Sequence, residues 1–128
     1  MRREVRSHAA PQPVGPYVQA LVHGGLVFAS GQIPLDPVSG KLVNGEIEEQ
    51  AERVLTNLRA VLEAAGSSLE QVLRTTVYLT DLRHFPRMNA VYARYFVSDP
   101  KPARTTIQAA ALPFGALVEI DAIAALTG

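Results

Sequence analysis

Hydrophobic residues recur at steps of three and four in two stretches of the chain, which is the pattern of an amphipathic α-helix. The first stretch starts near Glu46, with Asn44 as a candidate N-cap and Gly66 as a candidate C′ residue. Its apolar positions are Ile47, Ala51, Val54, Leu55, Leu58, Val61, Leu62 and Ala65. The second stretch is entered through Pro86 and ends before Pro100. Its apolar positions are Phe85, Met88, Val91, Tyr92, Tyr95 and Phe96, of which Tyr92 and Tyr95 are interpreted as core.

Five further stretches are apolar or β-branched and are bounded by glycine, proline or other turn residues, which is typical of β-strands. They cover residues 17–22, 26–30, 73–79, 103–111 and 117–125. The turn His23-Gly24-Gly25 predicts that the first two form a hairpin, and the turn at residues 112–116 predicts a second hairpin from the last two. Capping-box spacing at residues 67–70 predicts a short helical turn.

The predicted order is therefore hairpin, helix, strand, helix, hairpin, within a single domain over residues 1–128. Right-handed crossovers place both helices on one face of a single mixed sheet, so the predicted fold class is α/β (α+β). The other face would be bare, and its composition is too apolar for a surface in water. Its candidate residues are Tyr17 or Val18, Thr76, Tyr78, Thr106 and Ala110. We expect another copy of the chain to cover this face, giving a homo-oligomer.

Charge and cysteine content argue against several classes of function. Twelve basic and twelve acidic residues give a formal net charge of zero, whereas proteins that bind nucleic acids usually carry a positive excess. The N-terminal arginines Arg2, Arg3 and Arg6 are expected to lie on a frayed tail. The chain contains no cysteine, which removes disulfides and thiolate nucleophiles.

Targeting and metal-binding patterns are not visible either. The opening segment is charged and broken by prolines, unlike a secretory signal, and no apolar run is long enough to span a bilayer. We therefore expect a cytoplasmic protein without a membrane partner. His8, His23 and His84 lack metal-ligand spacing, and the glycine-rich stretches lack the spacing of phosphate loops.

Arg104 is the first candidate for chemistry. Strand alternation puts Arg104, Thr106 and Gln108 on one face of the sheet and Thr105, Ile107 and Ala109 on the other. A guanidinium on a sheet face among small residues can bind a carboxylate through two parallel hydrogen bonds. The alternative is an edge arginine that extends into solvent or pairs with a nearby acid.

Glu119 and Asp121 share one face of the last predicted strand. Two acids among apolar residues suit a covered polar site, and the alternative is an exposed edge that uses charge to prevent unwanted pairing. In a tight hairpin, Glu119 would lie opposite Ala109, about five residues and ~17 Å along the strand from Arg104. We therefore expect that, if the two groups share a site, different subunits supply them.

Several segments of the chain resemble one known family. They are GPYVQA (15–20), ASGQIP (29–34), TTVYLTDL (75–82), MNAVYARYF (88–96) and PARTTIQAAALPFGALVEIDAIA (102–124). In this order and at this spacing they resemble the Rid family, the YjgF-type reactive-intermediate deaminases. The resemblance extends from about Ala10 to the C-terminal part of the chain, and the last segment is its most specific part.

The resemblance implies a chorismate-mutase-like fold assembled as a homotrimer, with sites in the clefts between subunits. It implies hydrolysis of 2-imino acids, the tautomers of enamines such as 2-aminoacrylate and 2-aminocrotonate, to 2-oxo acids and ammonia, without a metal or other cofactor. By resemblance, Arg104 would hold the substrate carboxylate, Glu119 would position or activate water, and Tyr17 would close the pocket. The cleft would be lined by Ser30, Gly31 and Asn89, and the backbone near Thr106 would contact the substrate nitrogen. Deaminating members often have cysteine where this chain has Thr106.

Two other functions stay open from the sequence. One is a binding protein that captures a small 2-oxo acid or an amino-acid metabolite as a regulator, although retention of Glu119 favours catalysis because a second anion weakens carboxylate binding. The other is an RNA-processing or translation-inhibiting protein, a description attached to parts of the same family. The zero net charge argues against the second.

Overall fold

The computed structural model describes residues 1–127. Its strands are β1 (Arg3–Val5), β2 (Ala20–His23), β3 (Leu26–Gln32), β4 (Val72–Leu79), β5 (Ala103–Gln108) and β6 (Val118–Ala125). Its helices are α1 (Ile47–Ala64) and α2 (Phe85–Tyr95), with short 3-10 turns at Leu69–Gln71, Leu82–His84 and Pro113–Gly115. Within residues 1–127, no helix is long and apolar enough to cross a membrane.

The six strands form one mixed sheet in the order β1-β2-β3-β6-β4-β5. Strands β4 and β5 run parallel, and the other neighbouring pairs are antiparallel. Helices α1 and α2 pack against each other and cover the same face of the sheet. The predicted fold class, a single mixed sheet with two helices on one face, is therefore confirmed.

Helix α1 supplies most of the core, because its apolar stripe faces the sheet. Seven stripe residues are at most 1% exposed, namely Ile47, Ala51, Val54, Leu55, Leu58, Val61 and Leu62. Burying each of the larger side chains contributes about 1.5–3 kcal/mol. The predicted C′ residue Gly66 is confirmed by its φ of 88°. The N-cap is Glu46 instead of Asn44, because the Glu49 side chain accepts a hydrogen bond from the Glu46 N–H at 2.7 Å.

Strand β6 shows how cleanly the two faces of the sheet are divided. Val118, Ile120, Ala122 and Ala124 are at most 3% exposed beneath the helices. The intervening residues Glu119, Asp121 and Ile123 are partly exposed on the opposite face, which we call the open face. The same face carries Thr76 and Tyr78, as predicted, since they pair with Asp121 and Glu119.

The predicted second hairpin is wrong. Strand β5 pairs with β4, in parallel, and β6 lies between β3 and β4. The turn around Pro113–Gly115 therefore connects strands that are not neighbours, so the ~17 Å separation predicted between Arg104 and Glu119 no longer applies.

The predicted face of Thr106 is also wrong: this residue pairs with buried Val77 and points to the helix layer. Ala110 lies beyond the end of β5.

The N-terminal part also differs from the sequence prediction. Arg3 lies in the edge strand β1, paired with β2, where a frayed tail was expected. The first hairpin is confirmed, but β2 starts at Ala20, so Tyr17 precedes the strand. Buried Gln19 fixes the segment that leads into β2, because its amide group forms hydrogen bonds of 2.6–3.1 Å with the backbone of Ser7 and Pro11. The segment that carries Tyr17 is thereby tied to the sheet.

Candidate active site in two halves

Arg104 lies on the helix face of β5, beneath two aromatic rings of α2. Its guanidinium carbon is 4.7 Å from the ring centroid of Tyr92 and 5.3 Å from that of Phe85. Within residues 1–127, no acid forms a salt bridge with it. Aromatic faces attract a cation but do not occupy its N–H groups. The guanidinium is therefore held in place without an acidic partner within residues 1–127, as an arginine that binds an anion would be.

Two unpartnered polar atoms belong to the same region. Helical spacing puts Asn89 on the face of α2 that carries Phe85 and Tyr92, and Thr106 follows Arg104 on the helix face of β5. Asn89 Oδ1 and Thr106 Oγ1 are buried and have no hydrogen-bond partner within residues 1–127, as is also true of His84 Nδ1 at the start of α2. Such atoms are costly unless something binds them.

The backbone of β5 offers further groups at the edge of the sheet. The Ala109 N–H donates to the Leu79 oxygen, so odd-numbered residues of β5 direct their backbone groups to β4. The N–H and C=O of Arg104 and Thr106 therefore point to the unpaired edge. We call Arg104, Asn89, Thr106, Phe85 and Tyr92, with this edge, the arginine half-site.

Glu119 occupies a different place, on the open face of β6. Its carboxylate lies against the backbone of Gly31, where a Cβ would overlap the carboxylate oxygen and approach Cδ to 2.9 Å. Glycine is therefore required for this close approach. A register irregularity between Ala29 and Gln32 brings the β3 backbone to this position. Ser30, beside it, donates from Oγ to the Val18 oxygen at 2.7 Å.

Burial and a neighbouring acid tune this carboxylate. Burial raises the pKa of Glu119, and the negative charge of Asp121 raises it further. Asp121 Oδ2 accepts a hydrogen bond of 3.0 Å from the Tyr78 hydroxyl. Burial and these two acids also raise the pKa of Tyr78, so its hydroxyl stays a donor at neutral pH.

Tyr17 stands at the rim of a shallow groove on the open face. The groove is also lined by Val18, Leu21, Phe28 and Ser30. The Tyr17 side chain is about half exposed, and its hydroxyl accepts a hydrogen bond of 3.4 Å from the Val14 N–H. We call Tyr17, Ser30, Gly31 and Glu119 the glutamate half-site.

The two half-sites face in opposite directions within one chain. Arg104 pairs with Thr75, and Thr75 pairs with Ala122, which is buried on the helix face. Glu119 pairs with Tyr78 on the open face. Directly paired residues project to the same side of a sheet. The structure therefore groups the predicted site residues into two sets and does not bring the sets together.

The sequence interpretation missed the roles of Phe85, Tyr92 and Thr75. The sequence predicts that Tyr92 is a core residue, and it is indeed only 8% exposed. The available signal was the spacing of residues 85, 89 and 92, which puts an amide between two aromatic rings on one helical face. Recognising it requires knowing that Arg104 lies beneath that face.

The fold and the two half-sites define a small α/β protein with an arginine beneath aromatic rings on one face of its sheet and a partly buried glutamate on the other. The family described as Endoribonuclease L-PSP matches residues 7–126, so the chain belongs to this family, and the resemblance to the Rid family is confirmed.

Two solved structures and one curated protein are similar over nearly the whole chain. A putative endoribonuclease of Thermotoga maritima is 51% identical, with a TM-score of 0.95 and complete coverage of both chains. TdcF of E. coli, solved with bound serine, is 37% identical with a TM-score of 0.91, covering 98% of this chain and 99% of its own. The chloroplastic Reactive Intermediate Deaminase A of Arabidopsis thaliana is 45% identical over 95% of this chain and 65% of that protein.

Proposed function

We propose that this protein hydrolyses 2-imino acids to 2-oxo acids and ammonia, at sites formed between the subunits of a homotrimer. One observation carries the proposal: Arg104 and Glu119 lie on opposite faces of the sheet, each in an incomplete site. A cyclic trimer has a heterologous interface, in which the helix-side edge of one subunit can meet the open face of the next. Such an interface would combine a carboxylate clamp with a general base.

The reaction needs little beyond orientation and proton transfer. Arg104 would bind the substrate carboxylate, which directs the imine carbon toward Glu119. Glu119 would accept a proton as water adds to the iminium carbon, and would return it to the nitrogen of the resulting carbinolamine. The C–N bond then breaks and ammonia leaves, while the hydroxyl group gives its proton to Glu119 and becomes the C=O of the 2-oxo acid. This hydrolysis involves no oxidation or reduction. A positioned general base increases the rate of such a step roughly 10²–10⁴-fold.

The remaining residues would shape the cleft. Tyr17 would close it, Ser30 and Gly31 would form the wall next to Glu119, and Asn89 would approach the bound acid from α2. The edge C=O of Thr106 would accept a hydrogen bond from the iminium nitrogen, since it points away from β4. This role needs the backbone of Thr106 and not the thiol that deaminating relatives often carry.

Two relatives support this assignment of chemistry. The Arabidopsis thaliana protein is named as a reactive intermediate deaminase. The structure of E. coli TdcF contains serine, which has the α-carboxylate that a 2-imino acid also has. Serine binding also favours a second candidate, a protein that binds small carboxylates without turnover. The endoribonuclease description of the family names a third activity, against which the zero net charge argues.

A coupled assay separates these functions. A serine/threonine dehydratase generates the imine, and its decay is followed with and without the protein. We expect faster decay, with ammonia released in equal amount to the 2-oxo acid. Binding of 2-oxobutyrate without faster decay would favour the regulator, and salt-dependent RNA cleavage would favour the endoribonuclease.

Subunit mixing tests the shared site directly. Light scattering should give about three times the chain mass of 13.8 kDa. Arg104→Ala and Glu119→Gln chains, each inactive alone, should regain about one quarter of wild-type activity when mixed equally, because one interface in four combines both intact groups. If both groups acted from one chain, the mixture would stay inactive.

A further inference from the structure

The placement of Arg104 depends on aromatic rings rather than on an acid. A neighbouring carboxylate would use the N–H donors of the guanidinium and neutralise its charge. The rings at 4.7 Å and 5.3 Å attract the cation, and within residues 1–127 no acid pairs with it. An arginine that must capture an anion therefore gains more from an aromatic neighbour than from an acidic one.

The nearer ring is itself fixed to the sheet. The Tyr92 hydroxyl and Thr75 Oγ1 form a hydrogen bond of 2.7 Å, and Thr75 is fully buried. Thr75 pairs directly with Arg104 across β4 and β5. The Tyr92 ring also packs on Phe96, with ring centroids 4.4 Å apart. The ring that contacts the Arg104 cation is thus held by both Thr75 and Phe96.

We propose that Tyr92, fixed by Thr75, is a positioning residue that directs the Arg104 guanidinium toward the substrate carboxylate. Phe85 assists from the first turn of α2, where it is more distant from the cation and only partly buried. The identity of the ligand rests on the proposed function, whereas the orientation of Arg104 is a property of the protein alone. The proposed function and the positioning role of Tyr92 can therefore be disproved independently.

Helix α2 offers a matched control. Tyr95 also lies beneath an arginine, since the Arg59 guanidinium carbon is 5.5 Å from its ring centroid, and its hydroxyl donates to Glu52 at 3.0 Å. Tyr95→Leu thus removes the same side chain from the same helix, at a position without contact to Arg104. Any general effect of losing a tyrosine from α2 should appear in both variants.

The first test compares two ligands by calorimetry, 2-oxobutyrate and its uncharged amide. Tyr92→Leu should weaken 2-oxobutyrate binding by about 5- to 30-fold, the range of a partly desolvated cation–π contact. Binding of the amide should change little, because it has no carboxylate for Arg104 to bind. Tyr92→Phe keeps the ring and should restore most of the affinity, and Tyr95→Leu should change neither ligand. Equal losses for both ligands would overturn the proposal.

The second test needs no ligand. In ¹⁵N NMR spectra of the unliganded protein, the Nε–H signal of Arg104 should be shifted by the ring and ordered. The shift and the order should disappear in Tyr92→Leu and persist in Tyr95→Leu. An unchanged Arg104 signal in assembled Tyr92→Leu would overturn the positioning role, even if the wild type proved to be a deaminase. If Tyr92→Leu does not fold, Phe85→Leu at the helix start reports the same signal.

Discussion

The arginine and glutamate half-sites hold opposite charges on opposite faces of one sheet, and they do so by different means. Arg104 rests on aromatic rings without an acidic partner within residues 1–127. Glu119 rests against Gly31 and beside Asp121, where burial and a like charge raise its pKa. Within residues 1–127, Arg104 therefore has no acidic partner, and Glu119 has a like charge beside it. In the proposed trimer, a carboxylate substrate would pair with Arg104, and the Arg104 of a neighbouring copy would bring positive charge close to Glu119.

Loss of the planar cation should have the largest effect. Arg104→Lys keeps the charge but loses the two-donor fork, so it should weaken capture and orientation of the substrate carboxylate. We expect kcat/KM for the imine to fall by about 10²–10³ and 2-oxobutyrate binding to weaken severely. Calorimetry and the coupled assay measure both quantities. Wild-type affinity in this variant would remove Arg104 from the carboxylate site.

Glu119→Gln should affect turnover and spare binding. The amide keeps the shape of the side chain but cannot accept the proton, so kcat should fall by about 10². Affinity for 2-oxobutyrate should stay the same or increase, because a negative charge near the ligand is removed. Measured together with Arg104→Lys, this variant separates binding from catalysis. Imine hydrolysis at the wild-type rate would contradict the assignment of Glu119 and favour a binding protein.

Gly31→Ala should disturb the glutamate half-site alone. The new Cβ would overlap the Glu119 carboxylate, so the carboxylate or the β3 backbone must move. Because small displacements of a catalytic group are costly, we expect kcat to fall by about tenfold or more, with 2-oxobutyrate binding less affected. A wild-type kcat in assembled Gly31→Ala would contradict the close packing of Gly31 against Glu119.

Asp121→Asn should shift the pH dependence of turnover. As a base, Glu119 must be ionised, so kcat falls as the pH drops through its raised pKa. Removing the Asp121 charge removes one of the two causes, which lowers that pKa and moves the acid limb to lower pH. Tyr78→Phe leaves the Asp121 charge in place and should move the limb less. A shift to higher pH in Asp121→Asn would mean that Asp121 acts other than through its charge.

The sequence determined which residues share a face far better than which strands are neighbours. Alternation has a period of two and is local, so it correctly grouped Arg104 with Thr106 and Glu119 with Asp121. Strand order depends on long-range pairing. The turn around residues 112–116 has the composition of a hairpin turn, yet β5 leaves α2 to pair with β4, and β6 enters between β3 and β4. No local signal distinguishes these outcomes.

The wrong strand order explains why the surroundings of Arg104 could not be predicted from the sequence. Without the pairing of β5 with β4, Arg104 could not be placed beneath Phe85 and Tyr92, and Thr106 was assigned to the wrong face. The conclusion that two subunits share the site was reached from a hairpin that does not exist. The structure supplies a different reason for the same proposal, the opposite faces of Arg104 and Glu119.

Thr106→Ala should have the smallest effect and tests whether side chain or backbone contacts the substrate. The hydroxyl is buried without a partner among residues 1–127, so its removal should leave the free energy of unfolding nearly unchanged or slightly increase it. If the backbone makes the contact, imine hydrolysis should stay within about threefold of the wild type, as for substitutions away from reacting groups. Thr106→Pro should not be silent, because proline fixes φ at the residue whose C=O would contact the substrate nitrogen. Proline also removes the Thr106 N–H, but the β4 ladder does not use that group, so the variant should still fold. Loss of activity in assembled Thr106→Ala would show instead that the unpartnered hydroxyl binds the substrate, and would place the side chain of Thr106 in the chemistry of the arginine half-site.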